Sequence, residues 1–456
     1  MKRRRLLAMF CVALSALASG VAGRAAGDEL PGDRIDRPNI LIILTDDQRA
    51  RGTLEVMPAT KRWFVDRGIN FTQAFATTPL CCPSRATIMT GRYAHNHSVT
   101  NNYRGRKLDP KLTVQRYLSY AGYTTAIVGK YFNLWPTELA PPYFDRYSVF
   151  RQGGYHNVIF NQDGQAVDVG QYSTDYISDQ ALRYLEGFES DDDQPWFMIV
   201  APFAPHRPAH PAPEFEFASV PEWHRNPAEN ERDLGDKPGF VKDARTGLAK
   251  TEIVRAKQLQ SLMSVDVMVD ELETTLDVLD EDADTLAVFV SDNGYMWRDH
   301  GLLDKRLAYT ASIKIPLLMS WPGRMAEGAI DDRLVGTVDI APTLLEAAGI
   351  SPDLDKPMDG RSLMRAWERE TLLFEFWSDI PRFPDWSSLR TKDYQYIEYY
   401  PRGEETVEFL EYYDLRSDRW QLDNLLADGR PSNDPDTKSL ARTLRFYKDC
   451  QGLTCP

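Results

Sequence analysis

Asn39-Ile40-Leu41-Ile42-Ile43-Leu44-Thr45-Asp46-Asp47 is the stretch that decides the fold. Its apolar run has no polar break, as in a strand buried on both faces of a parallel sheet. It stops at a threonine and two aspartates. Three further segments repeat this layout. Residues 124–128 end in Gly129-Lys130, and residues 196–201 end in Pro202-Phe203-Ala204-Pro205-His206. Residues 285–290 end in Ser291-Asp292-Asn293-Gly294. Helical patterns lie between them, at 111–120, 175–187 and 250–279. This alternation predicts an α/β domain with a large, mostly parallel sheet flanked by helices. In open sheets of this kind ligands bind beyond the carboxyl ends of the strands. Strand placement alone therefore gathers Asp46, Asp47, Lys130, His206, Asp292 and Asn293 at one site.

Outward from these strands the pattern weakens. Residues 207–250 are rich in proline and charge and have little periodicity, so they read as a long surface excursion beside the site. Beyond Gly360, short aromatic segments at 371–376, 388–390, 394–400 and 408–413 precede a helix at 436–448. They predict a smaller C-terminal antiparallel-sheet subdomain. The α/β domain is expected at 37–365 and the α+β subdomain at 370–456.

The first 26 residues have another character. Lys2, Arg3, Arg4 and Arg5 precede an apolar run to about Ala18, and small residues follow to Gly27. That order is the layout of a signal peptide, and the run is short for a membrane span. The expectation is an exported protein, secreted or held in the periplasm or cell envelope, with no stable membrane insertion. Residues 1–26 hold five cations and no acid, so the net charge falls from −14 to −19 without them. A chain this acidic excludes nucleic acid as a partner held by the general field. With 43% hydrophobic and 26% charged residues, the composition is that of a globular protein.

Five cysteines are present, and Cys11 falls in the leader. Cys450 and Cys455 are placed to form a disulfide in an oxidising compartment. Cys81 and Cys82 are adjacent, a spacing at which cysteines rarely pair. In Cys81-Cys82-Pro83-Ser84-Arg85, Pro83 and Ser84 suit a helix start. Cys81 then lies where backbone N–H groups favour an anion, with Arg85 about one turn on. A nucleophile, a helix start and an arginine suit sulfate or phosphate. Two buried cysteines beside a structural arginine fit the local composition equally well.

The string Cys81-x-Pro83-Ser84-Arg85, followed by Gly91-Arg92, resembles the signature of the type I sulfatases, an alkaline phosphatase-like family. Thr45-Asp46-Asp47-Gln48 and Ser291-Asp292-Asn293-Gly294 resemble its two metal motifs. Gly129-Lys130 and His300-Gly301-Leu302-Leu303-Asp304-Lys305 resemble its lysine motifs. The resemblance implies that a formylglycine-generating maturation enzyme oxidises Cys81 to formylglycine, whose hydrate attacks sulfur and later expels sulfate. It implies calcium on Asp46, Asp47, position 81, Asp292 and Asn293, a set of hard oxygen ligands. Arg85, Lys130 and Lys305 would hold the sulfate, and His206 or Lys305 would protonate the leaving alcohol. Lys130, His206, His300, Lys305 and Asn133 are the expected substrate contacts.

Phe132 and Thr310 stand where many relatives carry a histidine and a glutamate. Tyr131-Phe132-Asn133, the double cysteine and Asn101-Asn102 are similar to the N-acetylglucosamine-6-sulfatase branch. The expected substrate is therefore a sulfated sugar, such as a glycosaminoglycan residue, or an aryl sulfate. A phosphodiesterase or phosphonate hydrolase on the same scaffold is the alternative. A non-catalytic binder of sulfated glycan is the third reading.

Overall fold

The strand Asn39–Thr45 lies at the middle of a ten-stranded sheet in a computed structural model that describes residues 37–189, 194–243 and 245–456. The expected leader at 1–26 falls outside the described residues. Asn39–Thr45 runs parallel to Thr285–Ser291 on one side and to Trp196–Ala201 on the other. Thr124–Gly129 and then Arg146–Phe150 extend the parallel order. The outer strands are mixed. Leu317–Ser320 is antiparallel to Thr285–Ser291 and carries Ile69–Phe71 and Ala329–Asp331 beyond it. At the opposite edge, Val158–Gln162 and Gln165–Val169 form a hairpin. Its two-residue turn is Asp163-Gly164, with φ of 47° and 89°, the positive pair that a type I′ turn requires.

Alternation along the strands builds a core on each face. Ile40, Ile42 and Leu44 join one buried cluster with Phe197 and Ile199. Leu41 and Ile43 join the other with Met198 and Val200. Side chains of the helices Cys81–Thr90, Val114–Tyr120 and Ile340–Ala347 belong to the first cluster. Ser173–Phe188 and the 31-residue Leu248–Val278 cover the second. Burial on both faces is the reason the central strands read as unbroken apolar runs.

Two segments differ from expectation. The helix read at 111–120 is a short 3-10 turn, Pro110–Leu112, and a separate helix Val114–Tyr120. Thr113 between them is extended, with φ −91° and ψ 148°. The segment 207–250 is not purely superficial: Asn226, Glu229, Leu234, Lys237 and Val241 are buried. Among its described residues it contains only short helical turns before the long helix begins at Leu248.

The four antiparallel strands Leu372–Phe376, Asp385–Arg390, Tyr394–Tyr400 and Phe409–Asp414 form a separate, smaller sheet. The helix Thr437–Lys448 follows, and Cys450 is bonded to Cys455. Phe75, Leu80, Tyr93 and Tyr309 share a hydrophobic cluster with Leu373, Trp386 and Tyr413. The small sheet is thus packed against the loops that carry Cys81 and Lys305.

Candidate active site

Each central strand delivers its last polar residues to one place. Asp46 and Asp47 follow Asn39–Thr45, Lys130 follows Thr124–Gly129, and Asp292-Asn293 follows Thr285–Ser291. Gly129 has φ 101°, and a Cβ there would lie 2.1 Å from the carbonyl oxygen of Ala201. Only glycine allows this close exit from the sheet, and it aims Lys130 inward. Asp47 itself has φ 68°, a conformation that costs a non-glycine residue about 1 kcal/mol or more.

Cys81 opens the helix Cys81–Thr90. Its Sγ lies 2.9 Å from Lys305 Nζ and 3.5 Å from Asp46 Oδ1. Lys305 also pairs with Asp47, and Lys130 pairs with Asp46. Arg85 donates from Nε to Asp292 Oδ2 at 2.8 Å and from Nη1 to the Lys130 carbonyl at 2.7 Å. Asn293 Nδ2 donates to Asp47 Oδ1 at 2.8 Å, and the Asp47 N–H donates to Asp292 Oδ1 at 3.1 Å. All of these side chains are buried. His206 lies at the rim, 28% exposed, with Nε2 3.7 Å from Asp47 Oδ2. Its Nδ1 is 2.6 Å from the Arg207 carbonyl oxygen, so the proton belongs on Nδ1 and Nε2 is left open.

The electrostatics follow from burial and neighbours. Burial pushes the Asp46 carboxyl up, but Lys130, His206, Arg85 and Lys305 outweigh it and hold Asp46 well below the usual carboxylate range. Asp47 is lowered in the same way, burial being overcome chiefly by Lys305 and His206. The Cys81 thiol is pushed up to about 12, by burial first and against the pull of Lys130 and Lys305. A thiol so weakly acidic is a poor nucleophile as it stands.

The residues fit a hard divalent cation. Ligand atoms of Asp46, Asp47, Cys81 and His206 lie within 4.8 Å of one another, and the Asp292 and Asn293 side chains touch the same carboxylate or its N–H. Oxygen donors predominate, as magnesium or calcium prefers. The residues also fit an anion: buried Arg85 Nη2 has no hydrogen-bond partner among the described residues.

Eight expected site residues therefore meet, and a ninth, His206, lies at the rim. The other two have partners outside this group. His300 is buried, with Nδ1 2.6 Å from Glu231 and its ring 4.1 Å from that of Tyr309. Asn133 faces Cys82, with Oδ1 3.4 Å from its Sγ. Sequence reasoning also missed a buried brace beside the site, in which Arg49 pairs with Glu229 and Asp299. Asn226 and Glu229 form a reciprocal capping box, and Asn226-Pro227-x-Glu229 was its visible signal.

The sulfatase family profile matches residues 38–350, which is most of the chain. The chain belongs to the sulfatase family. A second profile, N-sulphoglucosamine sulphohydrolase C-terminal, matches residues 298–446. A Caenorhabditis elegans homologue of the extracellular sulfatase Sulf-1 is 34% identical over 72% of this chain, and the chain spans 48% of that sulfatase's length. Human N-acetylglucosamine-6-sulfatase is 30% identical over 96% of this chain and is matched over 88% of its own length. A solved structure described as a protein in complex with its substrate D-glucosamine-2-N,6-O-disulfate superposes with a TM-score of 0.76. It is 25% identical, over 90% of this chain and 97% of its own. The phosphonate monoester hydrolase of Agrobacterium radiobacter shares the fold, with a TM-score of 0.69 at 20% identity over 90% of this chain and 95% of its own. Among the described residues no helix is long and apolar enough to cross a membrane.

Proposed function

We propose that this sulfatase is an exported enzyme that hydrolyses sulfate esters on a sulfated sugar of the N-acetylglucosamine-6-sulfate type. One observation carries the reading: Cys81 lies at a helix start between Lys305 and Asp46, with an unpartnered Arg85 N–H group buried in the same cluster. The relatives named N-acetylglucosamine-6-sulfatase and the neighbour bound to a sulfated glucosamine support the sugar class. The order of charge, apolar run and small residues in 1–26 supports export.

Formylglycine made from Cys81 by a maturation enzyme supplies the nucleophilic oxygen, and calcium held by Asp46, Asp47, Asp292 and Asn293 supplies a Lewis acid. The remaining roles belong to this chain's side chains. Arg85 orients a sulfate oxygen through Nη2. Lys130 and Lys305 hold the other oxygens and offset charge as it develops. His206 takes up a proton at Nε2 from the solvent side and gives it to the departing alcohol oxygen. Burial around position 81 keeps bulk water from competing.

Charge balance supports this assignment. Asp46, Asp47 and Asp292 face Arg85, Lys130 and Lys305, three acids against three cations. A divalent cation and a released sulfate dianion together leave that balance unchanged. The test is mass spectrometry of the peptide containing position 81 from secreted protein, paired with an assay on N-acetylglucosamine-6-sulfate. Conversion to the aldehyde lowers the mass by roughly 18 Da. Aldehyde with sulfate release is the expected result. An unmodified thiol in fully active protein, or a preference for phosphonate or phosphate esters, would overturn the proposal.

A further inference from the structure

A cavity of about 670 Å³ is distinct from the Cys81 centre: none of Asp46, Asp47, Cys81, Lys130, His206 or Lys305 lines it. It lies where the strand Ile69–Phe71, the turn after Ile313 and the end of the strand Asp385–Arg390 approach one another. Its walls carry Arg51, Lys314, Arg390, Lys392 and Arg419. Arg49 and Asp299 also reach it, but they are engaged with each other, Nη2 to Oδ1 at 3.1 Å.

The two inner cations are held in an unusual way. Arg390 is buried, and its guanidinium carbon lies 4.6 Å from the centre of the Phe75 ring. Lys314 Nζ lies 5.9 Å from the centre of the same ring. Among the described residues neither cation pairs with a carboxylate. Arg390 Nη1 donates to Thr310 Oγ1 at 3.1 Å and to Gln395, both neutral, while its Nε and Nη2 find no acceptor among the described residues. Burial, then Arg390, pulls the Lys314 ammonium down to about 8. Burial alone pulls the Arg390 guanidinium down to about 9. Two like charges beside one aromatic ring, without a counter-ion, are costly to bury. In a chain of net charge −14 an acid to neutralise them would be easy to supply.

We propose that this cavity is a second anion site, in which Lys314 and Arg390 take a sulfate group while the catalytic centre works on another. Arg51, Lys392 and Arg419 line the same cavity, and Arg51 and Arg419 lie over the Trp420 ring at 4.8 and 4.9 Å. They extend the positive field toward further anionic groups of the same ligand. The choice of sulfate rests on the hydrolase reading above; the unpaired cations do not. The same chemistry would accept free sulfate released by hydrolysis.

Calorimetry on full-length Cys81→Ala protein separates these sources without turnover, using a heparin-derived hexasaccharide and sodium sulfate as probes. Lys314→Gln, and separately the double variant Arg51→Gln/Arg419→Gln, should each raise the hexasaccharide Kd about tenfold while melting stays within a few degrees. Competition by sodium sulfate at millimolar concentration, lost in Lys314→Gln, would assign the site to free sulfate and keep it. Unchanged Kd values for both probes in the folded variants would overturn the proposal. Absence of sulfate-ester turnover by mature wild-type protein, with Lys314-dependent binding intact, would sink the hydrolase reading alone.

Discussion

Asp46, at the Cys81 centre, lies against Lys130; Glu411, in the C-terminal sheet, lies against three tyrosine hydroxyls. Both carboxylates are fully buried. Glu411 accepts from Tyr309 at 2.8 Å, Tyr399 at 2.7 Å and Tyr413 at 2.8 Å. Burial raises its pKa, and Lys237 and the hydroxyls only partly reverse the effect. Asp46 is driven the other way by its cations. Salt-bridged acids with a free guanidinium N–H beside them remain charged and able to exchange partners with an incoming ion. An acid surrounded by neutral hydroxyls is a cross-link. Here it ties Tyr309, beside His300, to the small sheet.

Replacing Lys305 by Met gives the largest expected effect. It removes a contact to Cys81 and leaves Asp47 without its lysine. Turnover should fall on the order of 100- to 1000-fold, and apo-protein stability by about 3–5 kcal/mol. Steady-state kinetics and urea denaturation check this. A variant with near wild-type turnover would break the comparison at its charged end.

Metal removal comes next. A cation bound only to the folded protein at a hundredfold its Kd contributes about 2.7 kcal/mol. Verified chelation should lower the melting temperature measurably and abolish activity, and calcium should restore both. Unchanged melting would mean that the lysines alone balance Asp46 and Asp47. At the neutral end, Glu411→Gln should cost about 1–2 kcal/mol and leave kcat within about twofold. A large kcat loss at normal stability would show that the tyrosine cross-link positions the site.

An effect on stability alone concerns pH. His95 has Nδ1 2.8 Å from Glu375 and Nε2 2.9 Å from the Cys450 carbonyl. Burial pulls its pKa down, but Glu375 more than compensates and raises it to about 9. A raised histidine stabilises the fold fully below its unfolded pKa near 6.5 and loses that effect as pH rises through 9. Stability measured from pH 6 to 10 should therefore decline by roughly 3 kcal/mol, and His95→Gln should flatten that part of the decline.

Asp46, Asp47, Lys130, Asp292 and Asn293 were legible in the sequence because each follows a buried strand, and such strands are unbroken apolar runs; Cys81, Arg85 and Lys305 were legible only through the motif resemblance. The edge strands were less visible. Val158–Gln162 and Gln165–Val169 bear exposed and polar residues and were not anticipated, although Asp163-Gly164 marks their turn. The partners of His300 and Arg49 were hidden for another reason. Glu229 and Glu231 belong to one short helix, Pro227–Asn230 and its C-cap, while Asp299 and His300 share a 3-10 turn far along the chain, and no periodicity relates the two. The cavity lined by Lys314 and Arg390 was equally invisible, since Lys314 caps the short helix Thr310–Ile313, Arg390 ends a strand of the small sheet, and both come to lie beside Phe75.

The burial of Cys81 sets an order of events in the life of the chain. Its side chain is 0% exposed, at the first turn of a helix that is itself buried from Cys81 to Thr90. An enzyme that alters this residue must reach it while the segment is still extended. On the proposed conversion of Cys81, folding and modification would compete, and a molecule that folds first would keep its thiol. Protein refolded from denaturant should stay unmodified however much maturation enzyme is added afterwards. The same enzyme supplied during synthesis should succeed.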